Sequence, residues 1–74
     1  MAKAIFVVPI LDGEPQLPRD LTEIIDGKAR QGSGFSLIGD APQADTRLVL
    51  VDSSEATLDA MAADDAYLFV EDVP

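Results

Sequence analysis

Apolar positions fall in three dense runs, Ala4–Val8 (AIFVV), Arg47–Val51 (RLVLV) and Tyr67–Val70 (YLFV), separated by polar stretches in which Gly and Pro collect. Their β-branched and aromatic residues predict strands. In the first run Ile5 and Val7 point one way, Phe6 and Val8 the other. Both sets are apolar, so the run reads as a central strand covered on two sides, ending near Pro9, which has no N–H to give to a ladder. Between the second and third runs the period changes. Leu58, Met61 and Ala62 stand at helical spacing with Glu55 and Asp59 on the wet side, which predicts an amphipathic helix. Asp52 is placed to cap it, with Glu55 completing a box. Asp64 and Asp65 suit a negative helix end badly, so the helix should stop by Ala63.

The remaining elements are weaker. Asp12 to Asp20 carries Gly13, Pro15 and Pro18 and reads as a loop. Asp20 and Glu23 form a possible capping box before Leu21, Ile24 and Ile25 at i, i+3 and i+4, predicting one or two helical turns that end at Gly27. Phe35 to Ile38 alternates and predicts a short edge strand. In order, the elements spell β-α-β-β-α-β, an α+β, ferredoxin-like arrangement with an antiparallel sheet. An alternative keeps only the strong elements: a three-stranded sheet with one helix, residues 12–46 forming an extended arm or hairpin. Either way residues 1–74 make a single small domain.

Composition narrows the function. Fourteen acidic residues against five basic ones leave a net charge of −9, which opposes nucleic-acid binding and attachment to anionic membranes. The run from Ala4 to Leu11 is far short of the ~20 residues of a spanning helix, and no signal-peptide pattern follows Lys3, so the chain is expected in the cytoplasm when made. There is no Cys and no His; disulfides are excluded, and the commonest acid–base, nucleophilic and zinc-binding groups are missing.

Other candidate chemistry has simpler explanations. Asp64, Asp65, Glu71 and Asp72 lack the spacing of a calcium loop and read as solvated element ends. Gln31 to Gly34 is glycine-rich but precedes a predicted strand, whereas a phosphate cradle needs a helix behind it. Phe6, Tyr67 and Phe69 could form an RNA-binding sheet face, but the basic and aromatic signature of such faces is absent. No enzyme activity, cofactor or metal is expected.

The surplus of apolar strand faces is the most informative feature. Two short helices cover one face of a sheet, and the other would then expose more apolar surface than a monomer usually does. Either the arm from Ile10 to Pro18 folds over it, or it is an interface with a protein partner or with further copies of the chain. Ile5, Val7, Val49, Val51, Tyr67 and Phe69 are the candidates for that interface. Lys28, Arg30 and Arg47 are candidates for a positive docking spot on an otherwise acidic protein.

The opening from Ala2 and Lys3 to Pro9 and Ile10, and the stretch Arg47–Asp72 with its SSEATLDAMAAD helix, resemble short acidic virion-associated proteins of tailed bacteriophages. The resemblance implies a non-enzymatic virion subunit, capsid-associated, decorating or connecting, located in the virion after assembly. It supplies no catalytic residues. A second reading is an acidic interaction module or inhibitor that mimics nucleic acid.

Overall fold

The computed structural model describes residues 2–18, 21, 23–25, 28–30, 34–41 and 43–74, the backbone alone in 23–25 and 28–30. In order these form β1 (Ala2–Leu11), β2 (Glu14–Pro15), β3 (Glu23–Ile25), β4 (Lys28–Arg30), β5 (Phe35–Asp40), β6 (Thr46–Ser53), α1 (Glu55–Ala62) and β7 (Leu68–Val73). β1 is the axis of the molecule. It pairs antiparallel with β6 from Ala2↔Ser53 to Pro9↔Thr46, and with β7 from Lys3↔Val73 to Val7↔Leu68. β5 joins the free side of β6, and β2 folds back onto Ile10 and Leu11. Among the described residues β3 and β4 pair only with each other.

The structure corrects the expected fold. Among the described residues it is mostly β, with five antiparallel strands in a curled half-barrel sheet and one short α-helix, so it is not ferredoxin-like. The helix expected over Leu21–Ile25 is absent: Glu23–Ile25 is a strand whose register sets Ile25 opposite Lys28. A helix of that length has almost no stability of its own, and β-branched Ile24 and Ile25 suit a strand better. The proposed caps Asp20 and Gly27 lie outside the described residues. The three-stranded alternative is corrected too, since β5 and β2 extend the sheet. Two irregularities, one between β1 and β7 and one between β5 and β6, lie on the outer strands. Extra residues there bend and twist a strand, consistent with the curl.

One face of the sheet carries the core. Ala4, Phe6 and Val8 on β1, Val49 and Val51 on β6 and Phe35 on β5 are buried together with Leu58 and Met61 of α1 and with Leu21. Phe6 is fully enclosed, with Phe69 and Tyr67 edge-on at centroid distances of 5.7 and 6.4 Å. The segment from Ile10 to Pro18 joins this same side. Leu17 packs on the core, the Tyr67 hydroxyl donates to the Gln16 carbonyl at 2.7 Å, and the Gln16 N–H donates to the Pro9 carbonyl at 2.9 Å. The arm therefore reinforces the face that the helix covers and leaves the opposite one.

β1 also runs beyond Pro9, because Asp12 and Gly13 take positive φ (53° and 79°) and close a two-residue hairpin to β2. That backbone matches the twist of paired strands, and Asp-Gly is a favoured sequence for it. The helix cap differs from expectation as well. β6 continues to Ser53, so Asp52 is a strand residue whose N–H donates to Gly34 O, and Ser54 is the cap, accepting from Thr57 N–H at 3.2 Å.

Candidate interaction surface

Register assigns the second face. Side chains opposite one another on neighbouring strands share a face. Ile5 stands opposite Leu50, and Val7 stands opposite Leu48 on one side and Leu68 on the other. These form an apolar row across β6, β1 and β7. Val70 and Ile38 are the residues skipped at the two irregularities, where the alternation of faces is interrupted. The row is closed at its centre, with Val7 buried, and open at its β7 margin, where Leu68 is 60% exposed.

The predicted site residues divide between the two faces. Ile5 and Val7 lie on the open one. Val49 and Val51 are wholly buried under the helix, and Tyr67 and Phe69 flank Phe6 on that covered side, Phe69 half-exposed at its rim. Val49, Val51 and Phe69 therefore do not share a surface with Ile5 and Val7, whereas Tyr67 also lines a depression together with Val7. The cause is a single step of register: a one-residue difference in pairing moves every side chain of a strand to the other face. Leu48, Leu50 and Leu68 take their place, and only the strand pairing, which the sequence does not state, could have selected them.

The positive spot is not assembled by the described side chains. Arg47 is a surface residue whose Nε lies 3.4 Å from Asp40 Oδ1 and whose guanidinium donates to its neighbour's carbonyl, Thr46 O, at 2.8 Å. Such exposed pairs contribute about 0–1 kcal/mol. Lys28 and Arg30 lie on β4, and their side chains are outside the described residues.

Carboxylates border the open face. A depression of about 250 Å³ at its β7 end is lined by Val7, Pro9 and Leu68 with Asp65, Gln43 and Thr46. Glu71, opposite Ile5, follows on β7 and is exposed. Around the helix, a cleft of about 520 Å³ sets Lys3 among Glu55, Asp59 and Asp72. On the covered side a groove of about 310 Å³ lies between the arm and α1, lined by Pro18, Ala56, Ala60, Met61, Asp64 and Tyr67. Burial, and secondarily the Asp64 carboxylate, raise the Tyr67 phenol above its ordinary pKa of 10.0. Asp64 itself is a turn residue: its Oδ1 accepts from Ala66 N–H at 2.9 Å and its carbonyl from Tyr67 N–H at 3.1 Å.

Among the described residues no group of three or more acidic side chains converges as a metal site. No described helix is long and apolar enough to cross a membrane. What the second face offers is apolar surface with an acidic border, a geometry for burial against another surface. Compared with models of known families, with curated proteins and with solved structures, the chain matches none.

Proposed function

We propose that the chain is a non-enzymatic structural protein that works by joining a larger assembly through the second face of its sheet. The observation that supports this is the apolar row from Leu48 and Leu50 through Ile5 and Val7 to Leu68, with Leu68 exposed at its edge and Val70 exposed farther along β7. Scattered exposed apolar residues are ordinary in monomers, whereas contiguous ones on a sheet face mark interaction sites. The arm that could have covered the row lies on the other side. The resemblance of the opening and the helix suggests the virion of a tailed bacteriophage as the assembly, the chain being made in the cytoplasm and carried in the particle. The alternative, an acidic mimic of nucleic acid, draws on the charge of −9 but leaves the exposed Leu68 and Val70 without a use.

Light scattering with a neutral hydrophobic dye tests the reading. The purified chain should associate, or should light the dye as a monomer. Leu68→Ser with Val70→Ser should abolish either signal while the circular dichroism is retained. A monomer that leaves the dye dark would contradict the proposal.

A further inference from the structure

The occupant of the second face can be narrowed by its charge, an inference that rests on the assembly reading. Asp65 borders the depression floored by Val7, Pro9 and Leu68, and Glu71, opposite Ile5, continues the border along β7. Among the described residues neither carboxylate is engaged in an ion pair. A second copy of the chain would bring another charge of −9 against them, and like charges facing across an interface oppose docking. A partner with Lys or Arg beside its apolar residues meets both features at once. The aliphatic stem of such a side chain suits the apolar floor of the depression while its charged head reaches Asp65 at the rim.

We propose that the second face receives a segment of a different protein in which apolar residues alternate with Lys or Arg, the apolar ones lying on the row Ile5, Val7 and Leu68 and a basic one seated against Asp65. β7 is a suitable landing strip. It pairs only with β1 among the described elements, and Leu68, opposite Val7 on this face, is exposed. The net negative field draws a basic partner in from a distance and repels an acidic one, so the on-rate should fall with salt.

Two synthetic peptides test this against the isotope-labelled full chain by NMR: one alternates valine with lysine, the other valine with glutamate. The lysine peptide should shift the signals of Ile5, Val7 and Leu68–Val73, and the glutamate peptide should not. Asp65→Asn should weaken the lysine peptide by about two- to fivefold, the range of an exposed charge pair. Leu68→Ser with Val70→Ser should weaken it further without changing the fold. Equal binding of both peptides, or shifts confined to other surfaces, would overturn the inference. So would a concentration-dependent dimer that buries Leu68 and Val70, but that result would leave the assembly reading standing. A chain that is monomeric, dark to the dye and indifferent to both peptides would remove both.

Discussion

Tyr67 sits where three parts of the molecule meet: its ring lies edge-on to Phe6, its hydroxyl donates to Gln16 of the arm, and its N–H donates to the Asp64 carbonyl behind the helix. Burial first and Asp64 second hold its proton more tightly in the folded chain, above the ordinary 10.0. The sign follows directly. Whatever stability the raised pKa contributes is complete below pH 10 and is lost as pH rises through the folded value. With one Tyr and no Trp in the chain, phenolate absorbance should titrate above 10 in the native state and near 10 in denaturant; a native midpoint at or below 10 would refute the placement. Tyr67→Phe removes one hydrogen bond and should cost about 1 kcal/mol in urea unfolding. Phe6→Ala, at the fully enclosed centre, should cost about 3–5 kcal/mol. The importance of Phe6 was legible from its place in an apolar run. The link from Tyr67 to Gln16 was not, because it joins residues far apart in sequence.

At the scale of elements, the strong signals in the sequence were those with a period and a length. The three apolar runs are strands, and Leu58 and Met61 are the buried seam of α1. The failures came where a few residues fitted two descriptions. Leu21, Ile24 and Ile25 have helical spacing, yet Leu21 is a core residue and the isoleucines belong to a hairpin strand. The Asp-Gly pair at 12–13, between two paired strands, was likewise a hairpin signal where a plain loop is the simpler reading. Asp52 and Ser54 both suit a cap, and the length of the β1–β6 ladder decides between them. Ser54→Ala should therefore destabilise the chain by about 1 kcal/mol, whereas the same change at an exposed non-capping position should be nearly silent. Gly13→Ala tests the hairpin. Nothing lies within 4 Å of an added Cβ there, so its expected cost of about 1–2 kcal/mol is that of left-handed backbone alone. An unchanged melting temperature would mean that the turn is not formed as described.

For the whole molecule, the decisive quantity is which sheet face is covered. Composition indicated that one helix-bearing side could not bury every apolar strand residue, but it could not say which residues would be left over. That depends on register, and the pairings of Ile5 with Leu50 and Val7 with Leu48 and Leu68 settle it. They remove Val49, Val51 and Phe69 from the open face and bring in Leu48, Leu50 and Leu68. The arm from Ile10 to Pro18, a candidate cover for that face, instead closes the core on the helix side through Leu17 and Gln16. A small domain with one side of its sheet packed and the other apolar gains stability from whatever docks there, since any ligand of the folded state alone shifts the folding equilibrium. The central claim is that the second face is open and adhesive. It is tested most directly by comparing the wild type with the Leu68→Ser, Val70→Ser variant in light scattering and neutral-dye fluorescence at matched concentration. The account predicts association or dye binding for the wild type, and a dark monomer with an undiminished melting temperature for the variant. A dark, monomeric wild type, or a variant that unfolds because those residues were part of the core, would contradict it.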